Sequence, residues 1–206
     1  SPSSNEVITY TFSDGINERQ GQIIFDRFDD SEVLTDSANR FTGTRGRDFV
    51  SGLGGKDTLN GKDGKDWLRG NNGNDTLKGG RGSDTLFGGL GADKLIGGNG
   101  SDKLYGDAGN DTLKGGKGND SYFFDLGDGV DTVNNASNSY LSDVDSINFL
   151  ERINSEDLWF SKKNNHLLID IIGTNDQVKV KNWYKDDKFK LDQFVTESAA
   201  LEMSSV

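Results

Sequence analysis

Ten aspartates dominate the chemistry available to this chain. Asp48, Asp57, Asp66, Asp75, Asp84, Asp93, Asp102, Asp111 and Asp120 recur every nine residues, and Asp131 follows after a two-residue insertion. Carboxylates are hard oxygen ligands. The chain has no cysteine and its one histidine is His166, so thiolate and multi-imidazole metal sites are excluded. If folding stacks these aspartates, bare carboxylates a few ångströms apart repel and demand a cation. Six or more oxygens in a flexible site select Ca²⁺ over Mg²⁺.

The elements that position them are written in the same period. Nine units run without a gap: GTRGRDFVS (43–51), GLGGKDTLN (52–60), GKDGKDWLR (61–69), GNNGNDTLK (70–78), GGRGSDTLF (79–87), GGLGADKLI (88–96), GGNGSDKLY (97–105), GDAGNDTLK (106–114) and GGKGNDSYF (115–123). The first and fourth positions are always Gly and the sixth always Asp. The eighth is Val50, then leucine from Leu59 to Leu113, then Tyr122. One apolar residue in nine cannot form a helical stripe, but an x-L-x piece can form a short strand with its leucine inward. The glycines let the chain reverse between strands. Two half-turns then make an 18-residue coil, coils stack at about 4.8 Å, and aspartates of alternate units fall above one another. Atypical units at the ends, LTDSANRFT (34–42) and LGDGVDTVN (126–134), suit capping of such a solenoid.

The in-frame GGxGxDxLx pattern resembles the RTX family of calcium-binding nonapeptide repeats. The resemblance implies an all-β fold, a parallel β-roll with β-rich flanks, and Ca²⁺ held between units two apart. It pairs Asp48/Asp66, Asp66/Asp84, Asp84/Asp102 and Asp102/Asp120 on one edge, and Asp57/Asp75, Asp75/Asp93, Asp93/Asp111 and Asp111/Asp131 on the other. Asn39/Asp57 is a weaker ninth. The count is about seven to nine ions. It also implies glycine carbonyl ligands: Gly61, Gly70, Gly79, Gly88, Gly97, Gly106 and Gly115 at the first position, and Gly80, Gly89 and Gly98 at the second. At the fourth position they are Gly46, Gly55, Gly64, Gly73, Gly82, Gly91, Gly100, Gly109 and Gly118. The second position is often not Gly (Thr44, Leu53, Lys62, Asn71, Asp107). A positive φ there would be strained, so the first three sites are expected to be the weaker ones.

Composition sets the energetics. The 206 residues are 32% hydrophobic with a net charge of −11, near the disordered side of the soluble range. One leucine per repeat cannot offset chain entropy, so calcium binding is expected to be coupled to folding. Seven divalent ions would raise the formal charge from −11 by 14 to about +3. The acidic balance argues against nucleic acid or an anionic membrane as partner.

Three regions follow: a β flank over 1–42, the roll over 43–134 and a β-rich capping segment over 135–206. The N-terminal flank offers strands at 8–12 and 22–28. The C-terminal flank offers them at Asp145–Leu150, Asp157–Ser161, His166–Ile172, Gln177–Trp183 and Phe189–Val195, with a hairpin turn at Asn164-Asn165. Trp159, Trp183 and Tyr184 are expected in its core. Phe49, Trp67, Phe87, Tyr105 and Phe123 share the outer face of one sheet. That face is expected to pack under the chain's own flanks, with a protein-partner surface as the alternative.

No catalytic constellation is present. There is no H-E-x-x-H and no G-x-S-x-G, and His166 has no nucleophile motif beside it. The chain is therefore expected to be non-catalytic, monomeric and a piece of a longer secreted or cell-surface protein. The resemblance implies a toxin or adhesin exported by a type I secretion machinery, unfolded where Ca²⁺ is scarce and folded outside. A calcium-regulated binding scaffold and an appendage of a secreted enzyme are the alternatives.

Overall fold

The computed structural model describes residues 6–13, 18–25, 29–135, 143–150, 152–196 and 199–202, with side chains described from residue 31 onward except at 188 and 199–202. Strands β1 (Glu6–Ser13) and β2 (Glu18–Phe25) form an antiparallel hairpin. Then β3 (Asp29–Val33) opens one sheet and β4 (Arg40–Thr42) a second. Strands β5 (Arg47–Ser51), β6 (Thr58–Asp63), β7 (Trp67–Asn72), β8 (Thr76–Arg81), β9 (Thr85–Leu90) and β10 (Lys94–Asn99) alternate between the two. So do β11 (Lys103–Tyr105), β12 (Thr112–Lys117), β13 (Ser121–Phe124), β14 (Val130–Val133) and β15 (Ser146–Phe149). From β3 to β15, odd-numbered strands share the first sheet and even-numbered strands the second.

Every neighbour in the array is parallel, and from β3 to β13 each is shifted by one 18-residue coil; the offset grows to 20 residues between β12 and β14 and to 25 between β13 and β15. Leu59 pairs with Leu77, Leu77 with Leu95 and Leu95 with Leu113; Leu68 pairs with Leu86 and Leu86 with Leu104. The result is a β-roll of about six turns. Its axis is a ladder of leucines, each fully buried.

The two fixed glycines have different reasons. At the fourth position, from Gly55 onward, the backbone has positive φ, as at Gly82 (φ 124°), where a Cβ would fall onto the carbonyl oxygen of Gly64 one coil below. At the first position a Cβ on Gly61 would occupy the place of the Asp66 carboxylate. The non-glycine second positions carry the strain the sequence suggested: Leu53 has φ 66°, Lys62 79°, Asn71 73° and Asp107 59°. Thr44 escapes it.

The C-terminal flank extends the roll end-on. In the first sheet β15 is followed by β19 (Gln193–Thr196) and β20 (Ala199–Glu202); in the second, β14 is followed by β18 (Gln177–Val180), β17 (His166–Ile171) and β16 (Leu158–Lys163). The β16–β17 hairpin turns at Asn164-Asn165 with Asn164 at φ 57°, as its sequence implied. Here the core thickens with Ile147, Phe149, Ile153, Ile169, Trp183, Leu191 and Phe194. Trp183 is core, but Trp159 is 64% exposed and Tyr184 41%, against expectation. Trp159 lies on the outermost strand of its sheet, where no further strand among the described residues covers it. His166 is structural: its Nδ1 accepts the Asn182 N–H at 2.9 Å.

Because β3 and β4 at one end and the C-terminal strands at the other continue the sheets along the roll axis, they leave the aromatic row uncovered among the described side chains. Phe49, Trp67, Phe87, Tyr105 and Phe123 form one continuous stack. Centroid spacings fall from 6.3 Å (Phe49–Trp67) to 4.3 Å (Tyr105–Phe123), and interplanar angles from 29° to 6°. Trp67 is exposed and the other four rings are half-buried.

Candidate metal centre

The turns between strands carry a second ladder, and it is made of charge. All ten aspartates, Asp48 through Asp131, are at most 3% exposed, as buried as the leucines. Stacking is enforced by one repeated bond. The backbone N–H of each aspartate donates to Oδ1 of the aspartate one coil above: Asp48 to Asp66 at 2.9 Å, Asp66 to Asp84 at 2.8 Å, Asp84 to Asp102 at 2.8 Å and Asp102 to Asp120 at 3.0 Å. The opposite edge repeats it from Asp57 to Asp75, Asp75 to Asp93 and Asp93 to Asp111. Asp111 reaches Asp131 at 2.8 Å, so the two-residue insertion bulges out and leaves the ladder intact.

The second carboxylate oxygen is left over. Oδ2 of Asp57, Asp66, Asp75, Asp84, Asp93, Asp102, Asp111 and Asp120 is buried and accepts no hydrogen bond. Such atoms normally find a partner, because desolvation without one costs about 1–3 kcal/mol and more for a charge. Each Oδ2 packs against the first-position glycine of its own unit. The carbonyl oxygen of the first-position glycine one coil above closes on the same point: Gly61 for Asp48, Gly70 for Asp57, Gly79 for Asp66, Gly88 for Asp75 and Gly106 for Asp93. Carbonyls at the second and fourth positions, such as Lys62 and Gly46, point up the stack toward Gly80 and Gly64. Each gap between alternate units is thus lined by two carboxylates and backbone carbonyls.

Burial and mutual repulsion have the expected electrostatic consequence. Burial pushes Asp66 and Asp102 up to about 7, Asp84 and Asp93 to about 6, and Asp111 and Asp120 to about 8, despite the opposing backbone N–H bonds. Asp131 rises to about 7 and Asp75 also rises. Neighbouring rungs of the ladder add to the shift, as Asp84 and Asp48 do for Asp66 and Asp131 and Asp93 do for Asp111. All-oxygen gaps with paired anionic and unsatisfied ligands fit a hard divalent cation. When bound, Ca²⁺ supplies the positive charge that this buried column lacks.

A model of the RTX calcium-binding nonapeptide repeat, in four copies, matches residues 35–68, 61–95 and 96–133. A model of the haemolysin-type calcium binding protein related domain matches residues 166–198. The chain belongs to the RTX calcium-binding repeat family. Calcium binding follows from that membership. No curated protein matches the chain.

The sites of this RTX chain are not equivalent. At the N-terminal end, Thr44 turns its N–H onto Asp48 Oδ2 at 2.9 Å, so the Asp48/Asp66 gap lacks the orphaned oxygen of the others. Asn39 uses its amide to donate to Asp57 Oδ1 and to the Thr35 and Ser37 carbonyls, closing the stack with hydrogen bonds. At the other end the sequence reading missed two rungs. The Asp120 N–H donates to Asp145 and the Asp145 N–H to Asp192, both at 2.8 Å. No glycine precedes either aspartate at the repeat spacing; the surviving signal is D-x-apolar, in DSINF and DQFV.

Proposed function

We propose that this chain is a calcium-driven folding module of a secreted protein, disordered where Ca²⁺ is scarce and folded into the roll where it is abundant. One observation carries the reading: eight buried carboxylate oxygens without a hydrogen-bond partner, stacked in register with one leucine per repeat. A buried leucine contributes about 2–3 kcal/mol. Ordering nine residues costs about 1–2 kcal/mol each, and an unpaired buried carboxylate several more. The calcium-free roll loses that balance, and the free energy of binding Ca²⁺ to the folded state alone must supply the difference. Asp57/Asp75, Asp66/Asp84, Asp75/Asp93, Asp84/Asp102, Asp93/Asp111, Asp102/Asp120 and Asp111/Asp131 are the binding pairs, with first-, second- and fourth-position carbonyls.

Folding on emergence into a calcium-rich medium would oppose return through a type I exporter, and an acidic chain without cysteine suits passage in the unfolded state. The module has no catalytic role of its own. A calcium titration followed by far-UV circular dichroism tests this. A cooperative coil-to-β transition near millimolar Ca²⁺, absent with Mg²⁺, is expected for an extracellular module. A chain already folded in chelator sinks the proposal.

A second reading has its own observation. The uncovered aromatic stack borders a groove of about 560 Å³ lined by Arg69, Phe87, Tyr105, Asp107, Phe123 and Arg152. It favours a scaffold that presents a binding face only once calcium has stacked the coils.

A further inference from the structure

The net charge of −11 hides a segregated surface. Ten of the aspartates behind it are buried in the ladder. The lysines are displayed, and one face of the roll collects them. Along β6, β8, β10, β12, β14 and β18 the residues on either side of the inward leucine or valine turn outward. Of these twelve residues five are lysine (Lys78, Lys94, Lys114, Lys179 and Lys181), four threonine, two asparagine and one is Ile96. None is acidic.

Register makes the lysines periodic. Down one column Asn60 pairs with Lys78, Lys78 with Ile96 and Ile96 with Lys114. Asn134 follows Lys114 and Lys181 follows Asn134, because Leu113, Val133 and Val180 are partners in the column beside them. Lys78, Lys114 and Lys181 thus stand on every second strand, at intervals of about 9.6 Å, twice the inter-strand spacing. Lys94 and Lys179 stand in the other outward column, about 7 Å across the strand direction. The result is a strip two columns wide and about 19 Å long from Lys78 to Lys181.

Protein does not answer these charges. Among the described residues the ion pairs are Arg81–Asp63, Arg152–Asp125 and Lys190–Asp187, and none involves the five lysines. Acids at the margins of the strip are engaged, Asp63 by Arg81 at 4.0 Å and Asp170 by the Gln177 side-chain amide. The strip carries no ring, since the aromatic stack lies on the other sheet, and Ile96 is its single apolar residue. Neither base stacking nor anchoring in a bilayer has a platform there.

We infer that this strip binds an acidic polysaccharide, one extended chain lying along the roll axis with carboxylate or sulfate groups on Lys78, Lys114 and Lys181. A narrow, straight row of compact cations fits a linear polyanion whose charges recur at a fixed interval. The threonine and asparagine side chains between the lysines offer donors and acceptors to its hydroxyls. The strip exists only when the coils are stacked, and Ca²⁺ on the ladder would cancel the buried negative charge that opposes an anion. The inference therefore rests on the calcium-driven folding proposed above.

Isothermal titration calorimetry of the whole chain with chondroitin sulfate, in saturating Ca²⁺, tests it. Binding should fall steeply with added salt and be absent with neutral dextran. The triple variant Lys78→Glu, Lys114→Glu, Lys181→Glu should weaken it about tenfold or more. A control with the same net charge, Lys65→Glu, Lys103→Glu, Lys185→Glu, changes exposed lysines off the strip and should bind like wild type. Equal loss in both variants overturns the inference, as does tighter binding to duplex DNA or to phosphatidylserine vesicles than to the polysaccharide. Should the strip variant not fold, carbodiimide coupling of chondroitin sulfate carboxylates to wild-type lysines decides: links mapped to Lys78, Lys114 and Lys181 sustain the strip, links elsewhere overturn it. A chain without β structure in Ca²⁺ would bring down the proposed function itself, whereas a folded roll that ignores chondroitin sulfate brings down only this inference.

Discussion

The repeat array and the C-terminal cap continue the same two sheets, yet they are held by different means. In the array each coil buries two leucines and two aspartates, and eight of those carboxylates keep an oxygen with no partner. In the cap Ile147, Phe149, Trp183, Leu191 and Phe194 form a wide core. Its buried acids are also answered by protein: Asp145 by Asn135, and Asp176 by the N–H groups of Gly127 and Gly129 at 2.8 and 3.0 Å. The difference teaches that one solenoid path can be stabilised by charge neutralisation or by apolar burial, and that the chain changes from one to the other around Asp120.

Acidity should break the distinction most strongly. In chelator, the folded roll holds Asp66, Asp84, Asp93, Asp102, Asp111, Asp120 and Asp131 at about 6 to 8, above the ordinary value of 3.8. Raised values mean that folding takes up protons. Their contribution is fully present below the unfolded value and is lost as pH rises through 6 to 8. Far-UV circular dichroism of the calcium-free chain should therefore show β structure gained between pH 9 and pH 5. A signal flat over that range would show that protonation cannot stand in for the cation.

A pair of substitutions sharpens the comparison at intermediate size. Phe194→Ala in the cap should cost about 3–5 kcal/mol, and by the same amount at two saturating Ca²⁺ concentrations, because no ion is linked to that contact. Asp84→Asn touches two gaps, and its cost should grow with Ca²⁺ as bound-state stabilisation is forfeited. Thermal melting at the two concentrations separates the cases; equal calcium dependence of both variants would erase the boundary.

The smallest effect is expected from the backbone. Leu53→Gly and Lys62→Gly replace strained second positions, at φ 66° and 79°, with the residue found in Gly80 and Gly89. Each should raise stability by about 1 kcal/mol in urea unfolding with calcium present. A loss of stability from both would mean that these side chains do more than occupy a left-handed turn.

Much of this protein is legible in its sequence because its repeat is local. The spacing of Gly, Gly, Asp and Leu fixes turn, carboxylate and core positions within nine residues, so the parallel roll, its 18-residue register and both aspartate edges follow from pattern alone. The strained second positions follow as well, since side chains there meet a backbone that glycine adopts freely. Three features needed the tertiary structure. Asp145 joins the ladder through a closure over 25 residues that no nonapeptide signature marks. Trp159 is exposed because β16 is an edge strand, and strand order is not written in strand composition. Among the described residues the aromatic row stands uncovered because the C-terminal strands pair end-on with the sheets. Their backbone N–H and C=O groups find partners at the open end of each sheet, which a packing over its face would leave unsatisfied.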